Sequence, residues 1–259
     1  MAVRFDDGAA YERMMGIWSR RVGEDFLGWL NLPPGLKCID VGCGNGAFTE
    51  LLVERCRPAE VQGVDPSPQQ IEFARKRHTA KVAEFRQGDA MALPFPDSRF
   101  DSATMALVIF FVPEPAKGVA EMARVVRPGG VVAAYAWDMQ GGGFPMTAIL
   151  AEVRSLGKET QGPPSVEASR MEVMGKLWSD AGMEGVETCK ITVQRTFADF
   201  EDFWISSTGA GSVRATVETL SRDEVETVKT RVRAKLSPDA EGRITHSAFA
   251  NAIKGRVRK

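Results

Sequence analysis

The sequence has little of what metal sites, membrane spans or nucleic-acid surfaces require. It contains two histidines and four cysteines, and no two cysteines form a C-x-x-C pair, so no metal site is expected. No stretch approaches the roughly 18 apolar residues of a membrane-spanning helix. The N-terminus lacks the basic start and apolar core of a secretory signal. The formal net charge is −1, whereas proteins that work on nucleic acid usually carry a basic surface.

These absences predict a cytoplasmic protein that acts on a small molecule, with no nucleic-acid or membrane partner, as a monomer or homodimer. Cysteines that form no disulfides suit a reducing compartment. The one basic run, Lys254–Lys259, is interpreted as a solvated C-terminal end. The chain has 259 residues, of which 44% are hydrophobic and 26% charged, and this composition is typical of a globular protein.

Apolar strands alternate with helical segments through the first half of the chain. The predicted strands are KCIDVG, VQGVD, AEFRQGD, FDSATMALVI and VVAAYAW. This alternation predicts an α/β fold with a doubly wound, mostly parallel sheet. Ligands of such sheets bind beyond the carboxyl ends of the strands, where Asp40, Asp65, Asp89 and the segment after Val108 fall.

The flanking regions are predicted to be largely helical. Residues Tyr11–Leu30 carry apolar side chains at helical spacing. In the second half, GVETCKITVQRTF and RITHSAFANAI are predicted as the last two strands. A helical insertion of about forty residues separates them, and connections of that length are usually functional or structured. Ser221 and Glu224 predict a capping box at the start of one of its helices.

A glycine-rich turn follows the first strand. Its sequence, Gly42-Cys43-Gly44-Asn45-Gly46, has no glycine at the third position of the dinucleotide pattern G-x-G-x-x-G. Asp65 follows the last glycine by 19 residues, at the end of the next strand. An acid at that place accepts hydrogen bonds from ribose hydroxyls. The pattern therefore predicts a ligand with an adenosine-type ribose and does not favour a pyrophosphate.

Four segments together resemble class I S-adenosylmethionine-dependent methyltransferases of the small-molecule type: IDVGCGNGAF, GVDPS, GDAMALPFPDSRFD and ARVVRPGG. The resemblance covers about Tyr11 to Trp137 well and the remainder loosely. It implies a Rossmann-like, seven-stranded sheet in a single domain, 1–259. Within that domain it implies a helical N-terminal lid over 1–35, a cofactor-binding core over 36–140 and an acceptor-side half over 141–259. A helical cap over about 198–238 would lie between the last two strands.

The resemblance implies a set of contacts to S-adenosylmethionine. The turn would lie against the methionine part, with contacts from Asp40, Gly42, Cys43 and Gly44, and a side chain at Gly42 or Gly44 would occupy the ligand's space. Asp65 would bind the ribose and Pro66 would flank the adenine, which Asp89, Ala90 and Met91 would contact further. Met105, Ala106 and Leu107 would reach the sulfonium side, and the lid candidates are Tyr11, Met15 and Trp18.

The acceptor is expected to be small and partly apolar, because aromatic residues are enriched where its pocket should form. The candidates are Trp18, Phe110, Trp137, Phe203 and Trp204. Alignment of the nucleophile with the methyl group supplies much of the catalytic effect in an in-line displacement. No general base is nominated, because LVIFFVPE has phenylalanines where many relatives carry a histidine; His246 is favoured as structural and His78 as exposed.

Three alternatives stay open at this point. The protein could bind the cofactor without catalysing a reaction. It could be an NAD(P)-dependent oxidoreductase, which the missing third glycine and the ALPFPD segment disfavour. A nucleic-acid methyltransferase commonly has an Asn/Asp-Pro-Pro-aromatic tetrad after the fourth strand, and this chain has LVIFFVPEP there.

Overall fold

The computed structural model describes residues 12–77, 82–160 and 162–258. In this part of the chain seven strands form one sheet in the order β3-β2-β1-β4-β5-β7-β6. Their bounds are β1 (Lys37–Val41), β2 (Glu60–Asp65), β3 (Ala83–Gln87), β4 (Phe100–Ala106), β5 (Val126–Trp137), β6 (Met183–Phe197) and β7 (Ile244–Val257). Strands β1 to β5 pair in parallel, and β7 is antiparallel to β5. The predicted fold class is confirmed.

Nine α-helices lie in the described residues. They are α1 (Ile17–Leu30), α2 (Ala47–Cys56), α3 (Pro68–Ala74), α4 (Pro115–Val125), α5 (Thr147–Ser155), α6 (Met171–Asp180), α7 (Phe200–Thr208), α8 (Gly211–Val217) and α9 (Arg222–Arg233). A π-helical segment, Glu12–Gly16, precedes α1, and short 3-10 segments cover Ile109–Phe111 and Val166–Ser169. None of these helices has the length and apolar character needed to cross a membrane.

The helix starts follow from local sequence. Ser67 precedes α3 and accepts the N–H of Gln70 at 3.3 Å, and Pro68 occupies the first helical position. At α9, the Ser221 side chain accepts from the Glu224 N–H and Glu224 returns a bond to the Ser221 N–H. This arrangement is the capping box that the sequence predicts.

The central strands are buried on both faces. The aromatic side chain of Tyr135 on β5 packs against Phe26 of α1 and Phe48 of α2, with ring centroids 4.6 and 5.7 Å apart. On the other face, Trp178 of α6 donates a buried hydrogen bond of 2.9 Å to the Val132 carbonyl. Helices on both faces therefore hold β5 in the middle of the hydrophobic core.

The chain separates into two compact units. The larger is made of Arg20–Gly141, Pro163–Ile191 and Ala250–Lys259, and it contains strands β1 to β5. The other is made of residues 1–19, Gly142–Gly162 and Thr192–Phe249, and it contains helices α5, α7, α8 and α9. The division into lid, core and acceptor-side half stays a prediction.

The basic C-terminal run is not simply a solvated end. Residues Lys254 to Val257 belong to β7, and Gly255 lies opposite Val132 of β5. Gly255 is needed there, since an added Cβ would lie 3.0 Å from the Trp178 ring. The Lys254 ammonium lies 4.4 Å from the centroid of the Trp29 ring. The interpretation failed because alternation of basic and small residues also suits a strand that buries one face.

Candidate functional site

The glycine turn is fixed to the end of β2 by backbone hydrogen bonds. The N–H groups of Gly42 and Cys43 both donate to the Val64 carbonyl, at 2.7 and 3.0 Å. Gly46 then donates to the Cys43 carbonyl at 2.9 Å, which closes the turn immediately before α2. All three glycines of the turn have positive φ, between 52° and 81°, a conformation that side chains disfavour.

The three glycines are required for different reasons. A Cβ on Gly42 would lie 2.5 Å from the Val108 side chain, and one on Gly46 would lie 3.1 Å from Ala74. A Cβ on Gly44 would have nothing within 4 Å. The expectation that a side chain at Gly42 would enter ligand space is therefore wrong, because protein atoms fill that space. Gly44 is the position that faces open space.

Asp65 holds the turn and the next helix together. Its Oδ2 accepts the N–H of Gly44 at 3.0 Å, and its Oδ1 accepts the N–H of Ser67 at 2.9 Å. Burial raises the pKa of this carboxyl, and the two backbone donors oppose that rise. Each carboxylate oxygen can accept a second hydrogen bond, so the group retains capacity for ribose hydroxyls.

Asp40 is a buried carboxyl that the fold only half satisfies. Thr49 of α2 donates to its Oδ2 at 2.6 Å, while Oδ1 is buried without a hydrogen-bond partner. Burial raises the pKa of Asp40 to about 7, against the opposing effect of the Thr49 hydrogen bond. A buried acceptor without a partner is costly, so it marks a place where a donor from a ligand would be stabilising.

The end of β3 carries the predicted adenine contacts. Asp89 is exposed, and its Oδ1 accepts the N–H of Met91 at 2.8 Å, which shapes the turn. Ala90 and Met91 are half-buried. Pro66, after β2, is exposed, and its carbonyl accepts from Gln87 at 3.0 Å. These residues share the carboxyl edge of β2 and β3, which is the placement the sequence predicts.

The end of β4 corrects one expectation. The Met105 side chain is completely buried, and its Cε lies 3.8 Å from where Gly118 of α4 would carry a Cβ. Side chains of a strand alternate between the two faces of the sheet, and the Met105 side chain lies on the face that α4 covers. It is therefore turned towards α4 and not towards a ligand at the end of the strand. Leu107 has φ of 60°, which is unusual for a bulky residue, and its N–H donates to the Tyr135 carbonyl at 2.8 Å. Strained residues of this kind often lie at functional sites.

The aromatic candidates lie in two places. Phe110 and Trp137 are buried in the larger unit, next to the ends of β4 and β5. Trp18, Phe203 and Trp204 are buried in the other unit. Their role in binding an acceptor stays a prediction, and Tyr11 lies outside the described residues.

Trp18 and Phe203 share one aromatic cluster with His246. The His246 ring lies 6.1 Å from Trp18 and 5.5 Å from Phe203, measured between ring centroids. Its Nε2 is 2.9 Å from the Pro145 carbonyl, and burial lowers the pKa of the imidazole. These contacts fit the structural role that the sequence analysis favours; His78 lies outside the described residues.

Two supporting residues had no strong signal in the sequence. Thr49, which donates to Asp40, lies inside α2, and the whole glycine turn separates the two residues in sequence. Arg77 donates to the Asn45 carbonyl at 2.7 Å and pairs with Glu50 at 2.6 Å, which ties the turn to the segment after α3. Neither pairing follows from spacing alone, because each depends on how α2 and α3 pack.

The fold is that of a doubly wound α/β protein, with a candidate ligand site at the carboxyl ends of β1 to β4. Residues 39–134 match the family described as methyltransferase domain. The match begins inside β1 and ends inside β5, so it includes all four strand ends. Over this segment the predicted resemblance to class I S-adenosylmethionine-dependent methyltransferases is confirmed.

Curated relatives match the same region. A fatty-acid O-methyltransferase of Mycolicibacterium smegmatis is 41% identical over 96 residues, which are 37% of this chain and 35% of the relative. A demethylmenaquinone methyltransferase of Desulfitobacterium hafniense is 38% identical over 104 residues, 38% of this chain and 41% of the relative. The chain thus spans less than half the length of these relatives.

A solved structure extends the likeness of the fold. The YcgJ protein of Bacillus subtilis superposes with a TM-score of 0.61 and covers 92% of this chain and 98% of its own. The two sequences are 20% identical, so the similarity concerns the fold alone.

Alanine substitutions should separate the roles of Gly42 and Gly44. Both substitutions place a side chain at positive φ, which costs about 1–2 kcal/mol. Gly42→Ala also brings the new Cβ into collision with Val108, whereas Gly44→Ala meets no atom within 4 Å. We expect Gly42→Ala to lower the free energy of unfolding more, as measured by urea denaturation.

The double variant Gly42→Ala/Val108→Ala provides the control. Removing the Val108 methyl groups should recover part of the stability that Gly42→Ala loses. Equal losses for Gly42→Ala and Gly44→Ala, without recovery in the double variant, would contradict the packing explanation.

The raised pKa of Asp40 predicts a pH-dependent stability. A carboxyl that holds its proton more tightly in the folded state stabilises the fold less as pH rises from its unfolded pKa to its folded pKa. For Asp40 this window runs from the ordinary aspartate pKa of 3.8 to its raised pKa of about 7. We expect Asp40→Asn to become progressively more stable relative to the native protein across that window, with no further change above it.

Urea denaturation at several pH values measures this difference. Thr49→Val should extend the window to higher pH, since it removes the hydrogen bond that lowers the Asp40 pKa. A constant difference between Asp40→Asn and the native protein from pH 4 to 8 would show that Asp40 does not titrate in this window.

Proposed function

We propose that this chain is a methyltransferase that transfers the methyl group of S-adenosylmethionine to a small-molecule acceptor and releases S-adenosylhomocysteine. The family match over residues 39–134 supports the class of enzyme. Because the chain spans less than half the length of the two curated relatives described above, the activity of the whole protein is our proposal.

One observation carries the proposal. At the end of β1, a completely buried carboxyl oxygen of Asp40 lacks a partner, and the neighbouring Gly44 faces open space. A ligand with a cationic amino group would satisfy the first feature, and a ligand that lies against the turn would use the second. The methionine part of S-adenosylmethionine has both properties.

The chain's own residues account for binding and orientation. Asp40 and the turn at Gly44 would hold the methionine part, and Asp65 would accept hydrogen bonds from the ribose hydroxyls. The turn at Asp89 to Met91 would contact the adenine. When bound, S-adenosylmethionine supplies a methyl group on a sulfonium, whose leaving group is a neutral thioether. The residues after β4, including the strained Leu107, would border the space where the acceptor aligns.

A small, partly apolar acceptor fits the aromatic side chains near the strand ends. Phe110 and Trp137 adjoin the ends of β4 and β5 within the larger unit. The relatives named above are named for a fatty acid and for a quinone, both of which are largely apolar small molecules. A lid formed by the N-terminal helix and a cap formed by α7 to α9 are part of the same proposal.

Two other functions remain to be tested against this one. A protein that binds S-adenosylmethionine without transferring its methyl group would have the same cofactor site. An NAD(P)-dependent oxidoreductase would need the helix to approach a pyrophosphate, and the turn lacks the third glycine of that pattern. The four cysteines are free, which fits a reducing compartment such as the cytoplasm.

Calorimetric titration with S-adenosylmethionine, S-adenosylhomocysteine and NADH tests the cofactor directly. We expect both adenosyl compounds to bind and NADH to bind far more weakly. Preference for NADH would refute the proposal. Binding without methyl transfer to any acceptor would favour the non-catalytic alternative.

Asp65→Ala should weaken the binding of S-adenosylhomocysteine by about 1.5–3 kcal/mol, because it removes charge-assisted hydrogen bonds to the ribose. The matched control is Asp101→Ala at the start of β4, where the carboxylate also accepts a backbone N–H, from Lys37 at 2.8 Å. Both variants should lose stability, but only Asp65→Ala should lose affinity. Native affinity in a folded Asp65→Ala protein would exclude the ribose contact.

A further inference from the structure

The end of β5 carries a carboxylate, Asp138, that neither the sequence analysis nor the candidate cofactor site uses. Asp138 is half-buried and directly follows β5, whose parallel neighbour β4 ends at the strained Leu107 segment. We infer that Asp138 is a catalytic residue that contacts the acceptor, and that the acceptor is a neutral hydroxyl or amine compound rather than a carboxylate. This inference rests on the proposed function.

The carboxylate is held in a fixed orientation. Its Oδ1 accepts the N–H of Gly141 at 2.6 Å, and its Oδ2 accepts from the Asn251 side chain at 3.2 Å. Asn251 lies on β7 opposite Ala136, and this small residue leaves room for the amide to reach Asp138 on the same face. Each carboxylate oxygen keeps capacity for a further hydrogen bond.

Asn251 is itself fixed by the interior. It is buried to 3% exposure, and its amide also donates to the Ser169 carbonyl at 2.9 Å. The Ser169 hydroxyl accepts the N–H of Met139, the residue after Asp138, at 3.2 Å. The carboxylate is therefore held by buried contacts beyond the Gly141 hydrogen bond, and such support is typical of a preorganised reactive group.

The same segment is linked to the cofactor turn. Gly42 packs against Val108, and the N–H of Leu107 donates to the Tyr135 carbonyl on β5, three residues before Asp138. Because β4 separates β1 from β5, their ends are about 10 Å apart at the usual strand spacing. Asp138 therefore lies on the β5 side of the space that begins at the glycine turn.

The charge around these strand ends decides the kind of acceptor. The segments that follow β1 to β5 contain no lysine or arginine: 42–46, 66–67, 88–91, 107–114 and 138–141. Arg77 reaches the turn, but it is engaged with the Asn45 carbonyl and with Glu50. An acceptor carboxylate next to Asp138 would meet like charge at close range, and because it has already lost its proton at neutral pH it would need no base. A hydroxyl or neutral amine can instead donate its proton to Asp138.

The reaction then balances in one displacement. A bond forms between the acceptor atom and the methyl carbon, and the bond from that carbon to sulfur breaks, leaving its electron pair on a neutral thioether. The proton of the acceptor atom passes to an Oδ of Asp138. The protonated Asp138 carboxyl then releases this proton to water, which regenerates the carboxylate.

A panel of acceptors with matched hydrocarbon groups tests this inference. Alcohols, primary amines and carboxylic acids that carry n-octyl, n-dodecyl, 2-phenylethyl or 2-naphthylmethyl groups are incubated with the protein and methyl-tritiated S-adenosylmethionine. We expect an alcohol or amine to be methylated at least about tenfold faster than the acid with the same hydrocarbon group. Asp138→Asn should lower that rate about 100-fold, which is the usual contribution of a general base.

The change in selectivity separates this role from a structural one. Asp138→Asn should lower the methylation rates of alcohols and amines and raise the methylation rate of acids, because the repelling carboxylate is gone. Damage to the turn would instead lower the rates of all three classes. The affinity for S-adenosylhomocysteine, measured by calorimetry, should stay within about twofold of the native value. Asp101→Asn, a carboxylate held by Lys37 and Arg127 at the opposite edge of the sheet, should leave rates and selectivity unchanged.

Three results would overturn the inference. Acids could be methylated as fast as the matched alcohols and amines, or Asp138→Asn could retain native rates, or the native protein could bind S-adenosylhomocysteine and methylate no alcohol or amine in the panel. Failure to bind S-adenosylhomocysteine at all would instead refute the proposed function on which the inference rests.

Discussion

The candidate site depends on the close approach of the β1–α2 turn to its neighbours. The Val64 carbonyl accepts two successive amides of the turn, and Gly42 packs against Val108 without room for a side chain. The turn is therefore held between the end of β2 and the segment after β4. Because the backbone passes so close, Gly44 faces open space and Asp65 can reach the Gly44 N–H. Every other candidate contact is positioned relative to this turn.

The two acids next to this turn, Asp40 on β1 and Asp65 on β2, differ in how many hydrogen-bond donors the fold supplies to them. Asp65 receives two backbone donors, so its carboxylate is supported by the protein. Asp40 receives one donor from Thr49 and has a buried oxygen without a partner. Burial of a half-satisfied carboxyl destabilises a fold, and its pKa near 7 reflects that cost. Residues that violate the rules of stable packing tend to lie at functional sites, because only a ligand completes their contacts.

The sequence predicts the sheet, its strands and the positions of the glycine turn and Asp65, because alternation and glycine spacing are local signals. It could not distinguish the reason for Gly42 from that for Gly44, since the difference lies in Val108, which is distant in sequence. The positive φ of Leu107 carries no sequence signal, because leucine is not a residue that favours it. The C-terminal basic run was misinterpreted because its pairing partner, β5, lies far earlier in the chain.

The placement of acids at these strand ends also bears on how a displacement could be accelerated. A carboxylate close to a sulfonium stabilises the bound cofactor more than the transition state, because positive charge leaves the sulfur as the methyl group moves. A carboxylate close to the acceptor atom does the opposite, since positive charge develops there. Only the second arrangement lowers the barrier. The acid that serves catalysis is therefore expected away from the cofactor turn, and Asp138, two strands from Gly42, has that position.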